Sequence, residues 1–250
     1  MSTSPAAAVR ARVLSQARFD AANLLRNGEQ LLVSVLLPLG VLLGLALTSV
    51  PDLGPGRRID VVVPGVLALA VISTSFTGQA IQTGFDRRYG VLRLLGTTPL
   101  GRDGLLAGRV LAVLGVQLLQ VAVLAAAGLA LGWRPALAGL VPAALFLLVG
   151  TAAFVSLALL LAGTLRAEAV LALANLVWVA LLVLGGVVVP PDTMGPALGA
   201  VAGWLPSGAL ADGLRAALGE GRWDLAALAV LTAWGVGAAV LARRLFRWSD

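Results

Sequence analysis

The chain has 250 residues, 59% of them hydrophobic and only 12% charged, with a formal net charge of +6, whereas soluble domains carry about a quarter charged residues. This balance excludes a soluble enzyme and identifies an all-α integral membrane protein of one domain, because spans and their connections use up the length. There is no His, no Cys and, with all eighteen positive charges on Arg, no Lys, so the sequence lacks a His- or Cys-based nucleophile, a thiolate or imidazole metal site, a disulfide and a G-x-x-x-x-G-K-[ST] phosphate loop.

Residues 1–30 precede the first apolar run and are too polar and too long for a cleavable signal. Within them Val9, Val13, Ala17, Ala21 and Leu24 recur at helical spacing, with Arg12, Asn23 and Arg26 largely opposite and Phe19 off the stripe. This pattern predicts an N-terminal cytoplasmic helix lying on the inner leaflet; the alternative is a solvated basic tail. Residues 31–250 form the six-span transmembrane domain.

Six runs then approach the roughly 20 apolar residues that cross a hydrocarbon core: 31–50, 61–82, 105–131, 137–163, 169–189 and 225–241. Pro38, Pro64 and Pro142 fall inside them, which neighbouring helices can accommodate. With the N-terminus inside, thirteen Arg lie on the cytoplasmic side and five (Arg57, Arg58, Arg134, Arg215 and Arg222) outside. The positive-inside rule therefore places both termini and the 84–104 segment on the cytoplasmic side, and the net charge reflects topology and membrane lipid rather than nucleic acid.

Between the second and third runs lies the basic segment 84–104, "GFDRRYGVLRLLGTTPLGRDG". A helix is expected over 86–95, with Asp86 at its start, where the helix dipole favours an acid, and an end enforced by Pro99. Val91, Leu92, Leu94 and Leu95 give it an apolar surface flanked by Arg87, Arg88 and Arg93. Such a surface suits docking of a soluble partner; the alternative is an inner-leaflet helix that only holds the spans.

Between the fifth and sixth runs, residues 190–224 are too long for a turn and too broken by Gly and Pro for a span. Two short half-helices, 197–204 and 207–218, are expected here. They either dip into the outer leaflet as a cap over a pathway or lie flat as an interfacial hairpin anchored by Trp204 and Trp223.

Formal charge is nearly absent inside the spans, which argues against a proton- or sodium-driven carrier and, with no paired carboxylates, against an intramembrane enzyme. The polar residues there are mild: Ser73, Thr74, Ser75, Thr77, Gln79 and Gln82 in the second run, Gln117 and Gln120 in the third, and Asn175 in the fifth. Singly, each reads as an interhelical hydrogen-bonding group. As a set they suggest a weakly polar pathway for an amphipathic or lipid-like solute, with Ser73, Ser75, Thr77, Gln79, Gln82, Gln117, Gln120 and Asn175 as its candidates.

Together these features resemble the permease subunit of a type-2 ABC transporter, the family of daunorubicin-efflux and polysaccharide-export permeases. In that family the second cytoplasmic segment has a charged pair, a Gly, a Leu-rich turn and a Thr/Ser-Pro stop. The corresponding residues here are Asp86-Arg87-Arg88, Gly90, Leu92 to Leu95, and Thr98-Pro99. Many members carry Glu soon after the Gly, where this chain has Val91-Leu92-Arg93. The resemblance implies a non-catalytic exporter subunit that binds no cofactor itself and holds no metal, with ATP and Mg on a separate ABC ATPase. It also implies a second permease, identical or related, and a coupling segment formed by Asp86, Arg87, Arg88, Tyr89, Gly90, Val91, Leu92, Leu95, Thr98 and Pro99. Drug or antibiotic efflux is the expected activity, with lipid or polysaccharide export behind it. The competing expectation is a stand-alone channel or assembly factor with no ATPase partner.

Overall fold

The computed structural model describes residues 8–26, 28–96 and 101–246, so Thr98 and Pro99 lie outside the described residues. Its helices are α1 (Val9–Arg26), α2 (Gly28–Leu47), α3 (Arg58–Ile72), α4 (Gln79–Arg88), α5 (Val91–Gly96), α6 (Gly101–Ala130), α7 (Leu140–Thr164), α8 (Ala167–Leu184), α9 (Pro196–Trp204), α10 (Pro206–Glu220) and α11 (Leu225–Leu245). No strand occurs among the described residues, as expected of a chain whose backbone polar groups must be satisfied inside lipid. This is an all-α integral membrane protein.

Among the described residues, five helices are long and apolar enough to cross a membrane: Arg58–Arg88, Gly104–Ala130, Leu137–Thr164, Ala167–Leu184 and Leu225–Leu245. They correspond to the second to sixth expected runs. The first run is helical in α2 over 20 residues, and its described apolar part is Ser34–Leu47. Pro142 sits in the first turn of α7, where a missing N–H costs nothing.

The second span forms the centre of the bundle. Its apolar window is 83% buried, against 22% for α8 and for α11, because α2, α6, α7 and α10 all pack on α3. Close approach is permitted by glycines: a Cβ at Gly65 would meet the Val187 carbonyl, and one at Gly128 would meet Val63 and Trp133. Between α3 and α4 the span passes through a π-helical turn, Ser73–Gly78, of the kind often found at functional positions.

Two further segments pack on these spans. The helix α1 runs along α6: Ala17 of its stripe and Asp20 are buried, and Gln16 lies where a Cβ on Gly108 would touch it. Leu14 and Phe19 are exposed large apolar residues of α1. The other segment is the 190–224 hairpin. Gly139, at the start of α7, abuts the Ala217 carbonyl, and Gly150 abuts Leu210, so seven residues of α10, about 10 Å of helix, run along α7. At its tip the Trp234 indole N–H, in the middle of α11, donates to the Trp204 carbonyl at 2.9 Å. The hairpin thus packs on α3, α7 and α11.

Candidate functional site

At the end of the bundle opposite the hairpin, α4 runs through Arg88 and stops at Tyr89-Gly90. Gly90 has φ +76°, a left-handed conformation that costs glycine nothing. The expected single helix over 86–95 is therefore two: Asp86, Arg87 and Arg88 form the last turn of the second span, and α5 restarts at Val91.

This division separates the roles of the charged residues. Asp86 accepts from the Arg109 guanidinium of α6, whose Nε also lies 3.5 Å from Asp20 of α1. Arg109 is only 2% exposed, so one cation between two carboxylates ties three helices together. Burial raises the Asp20 carboxyl above its ordinary value, against the pull of Arg109 and of the hydrogen bond that Gln16 donates. Arg87 is buried and donates to the Ala162 carbonyl at 2.9 Å, which makes it a tie to α7 rather than a surface charge. Arg88 is exposed and pairs with Glu168 of α8 at 2.5 Å.

The apolar residues divide similarly. Leu92 is fully buried in a cluster with Leu105, Val113, Val155, Leu159 and Phe246, and anchors α5. Tyr89 and Leu94 are 74% and 70% exposed, with Val91 less so. Tyr89 stacks on Phe85, ring centroids 6.1 Å apart. The outward surface of this end is therefore Tyr89, Val91, Arg93 and Leu94, on an anchored base. Nothing is described of the Leu95 side chain.

The polar residues of the spans converge on the π turn. Ser73 accepts from the Trp178 indole of α8 at 3.0 Å. Gln120 donates to Thr74 and to the Ser34 carbonyl of α2, both at 2.9 Å. Gln117 donates to Ser75 at 2.8 Å and accepts from Thr151 of α7 at 2.5 Å. Three consecutive residues thus reach four neighbouring helices. Ser75, Gln79, Gln117 and Gln120 are buried, while Ser73, Thr77 and Gln82 are partly exposed and Asn175 is exposed. Below the turn, Gln79 donates to Gln82 at 3.4 Å, and Thr77 Oγ1, Gln79 Oε1 and Thr83 Oγ1 are buried without a hydrogen-bond partner.

At the hairpin end a cleft of about 560 Å³ is lined by charged residues including Arg57, Asp60, Asp192, Asp212, Arg215 and Arg222. Arg215 bonds Asp212 at 2.8 Å, the Gly186 carbonyl at 2.8 Å and the Val187 carbonyl at 2.6 Å. It thereby fastens α10 to the backbone that follows α8.

Sequence reasoning did not single out Asp20, Thr151, Trp178 or the Asp212–Arg215 pair, and it counted Arg109 only among the thirteen cytoplasmic arginines. Arg109 could have been noticed, because it stands inside an apolar run where a charge is costly without a partner. No curated protein matches the chain. The sequence pattern of the ABC-2 type transporter family matches residues 13–218, a stretch that takes in α1, the π turn, the Tyr89-Gly90 break and most of α10. The chain therefore belongs to the ABC-2 type transporter family and is a membrane permease subunit of an ABC transporter.

Proposed function

We propose that this permease serves an ATP-driven exporter, with a separate ABC ATPase docking on the Tyr89–Leu94 end and a second permease completing the pathway. The observation that supports this most is the pairing of an exposed Tyr89, Val91 and Leu94 with a base held by Leu92 and the Asp20–Arg109–Asp86 cluster. An aromatic and aliphatic surface on a rigid support is what a docking partner needs, and displacement of α5 would pass directly to α4, α6 and α1. Thr98 and Pro99 extend the same segment.

The solute is amphipathic or hydrophobic, with drug or antibiotic efflux ahead of lipid or polysaccharide export. Its path runs along the exposed face of α8, which carries Asn175, and the partly exposed Ser73, Thr77 and Gln82, between two permeases. The chain performs no catalysis and binds no cofactor; ATP and Mg belong to the ATPase. Both termini face the cytoplasm of a bacterial inner membrane, and α1 lies along its inner leaflet through Leu14 and Phe19.

Tyr89→Glu combined with Leu94→Glu tests the docking surface by co-purification with an ABC ATPase encoded beside the permease. Loss of an anchor of about 2 kcal/mol lowers retention roughly thirtyfold, while insertion in the membrane is unchanged. Undiminished retention and ATP turnover in the double variant would sink this reading.

A further inference from the structure

On the side of the bundle away from the second span, α7 and α11 enclose an open groove of about 330 Å³. Leu157 and Leu160 form one wall, Trp234 and Leu241 the other, and Ala233 and Gly237 keep the floor low. The groove is fixed in shape at one end, because the Trp234 indole is held by its hydrogen bond to the Trp204 carbonyl at the hairpin tip. Toward the other end the stripe formed by Trp234, Gly237 and Leu241 continues, at spacings of three and four residues, to the exposed Arg244 in the last turn of α11. Residues so spaced share one helix face.

We propose that this groove binds one acyl chain of an anionic glycerophospholipid, whose headgroup phosphate is held at Arg244. Two features select that occupant over a peptide or a second copy of the chain. The groove wall is wholly aliphatic and aromatic, ending at a cation, which matches a hydrocarbon tail joined to an anion; basic sites at the ends of membrane helices recognise such headgroups. The distance also fits. Ten residues from Trp234 to Arg244 advance about 15 Å, and an extended chain covers that in roughly a dozen bonds at about 1.2 Å each. The tail then fills the space beneath the hairpin tip, so that the lipid supports the position of Trp204. This inference does not depend on an ATPase partner or on the direction of transport.

The test is lipid binding to the purified full-length permease, titrated with phosphatidylglycerol or phosphatidylcholine and read by native mass spectrometry. Two variants divide the site. Gly237→Leu fills the groove, and a Cβ there has nothing within 4 Å, so the helix pair has room for the change. Arg244→Gln removes the charge at an exposed position. The parent should hold phosphatidylglycerol more tightly than phosphatidylcholine. Arg244→Gln should lower phosphatidylglycerol affinity about fivefold and leave phosphatidylcholine unchanged, whereas Gly237→Leu should lower both. Equal binding of the two lipids by the parent overturns the headgroup assignment, and parent-like binding by Gly237→Leu overturns the groove. A change of oligomeric state in Gly237→Leu with lipid binding intact also overturns it, by assigning this face to a second copy. If Gly237→Leu does not accumulate, the parent and Arg244→Gln still decide, since absence of a difference between them rejects the site.

Discussion

The two ends of the bundle each bury an arginine against carboxylate, but they use it for different purposes. Near α5, Arg109 joins Asp20 and Asp86, residues far apart in sequence on three different helices, and the cluster contains more negative than positive charge. At the hairpin end, Arg215 pairs with Asp212 one turn away on the same helix, and its Nη2 donates to two backbone carbonyls. The first arrangement makes the position of one helix depend on another; the second holds an irregular piece of backbone against α10. Buried ion pairs contribute little net stability beside an apolar equivalent, so the three-helix cluster is better understood as fixing the register of α1, α4 and α6.

That contrast can be broken most severely at Arg109. Arg109→Ala leaves the buried Asp20 facing the partly exposed Asp86 without a cation, and an uncompensated buried charge costs about 3 to 5 kcal/mol. Release of α1 from α6 should follow, seen as new tryptic cleavage at Arg12 and Arg18; an α1 that stays protected would reject the clamp. A smaller effect is expected from Arg215→Ala, about 2 to 3 kcal/mol, because it strands one partly exposed carboxylate and two carbonyls but undoes a contact only between α10 and the backbone after α8. Its signature is a lowered Tm with α1 still protected, and cleavage in α1 would show that the two ends are not separable.

Asp20→Asn sharpens the comparison further. The Asp20 carboxyl is raised by burial, so the folded state holds its proton at a pH where the unfolded chain has released it. Docking of α1 is therefore strongest below the ordinary carboxyl range of roughly 4 and weakens as pH rises through the raised value. Asn, which cannot ionise, should cost less than Arg109→Ala and flatten that pH dependence, measurable by hydrogen exchange across α1; a steeper dependence would reverse the assignment. The smallest effect belongs to Arg222→Ala. This exposed arginine pairs with Glu220 and lies 3.9 Å from Asp224, and exposed pairs are screened, so Tm should not change measurably.

Much of the fold could be read from hydropathy, because length and apolarity are local properties: the second to sixth runs appear as spanning helices, and the Gly- and Pro-broken stretch before α11 appears as a helical hairpin. What could not be read was contact. Arg87 looks like its neighbour Arg88 in the sequence, yet one donates to Ala162 and the other to Glu168. Their difference arises from which face of α4 meets α7. The break at Gly90 did leave a local signal, a glycine where one helix was expected to continue, but nothing in the sequence fixed its φ. Likewise Ser73, Thr74 and Ser75 are visible as polar residues in an apolar run, whereas their partners lie 105, 46 and 42 residues away. The set that suggested a pathway is in part the cement of the helix bundle.

The π turn at Ser73–Gly78 means that the two halves of the second span do not share one helical wheel. Each residue of an α-helix advances the azimuth by about 100°, and a wider turn resets that count for everything after it. Upstream of the turn every residue from Val62 to Ile72 is buried, whereas downstream burial is confined to one face, with Gln79, Thr83 and Arg87 recurring every four residues along it. Loss of one residue from the turn would keep the composition and length of the span nearly intact while swinging its lower half by about 100°. Arg87 would be carried away from Ala162 and Asp86 away from Arg109. A one-residue length difference at this position between related permeases is thus a change of orientation for the whole α4–α5 arm, not a neutral gap.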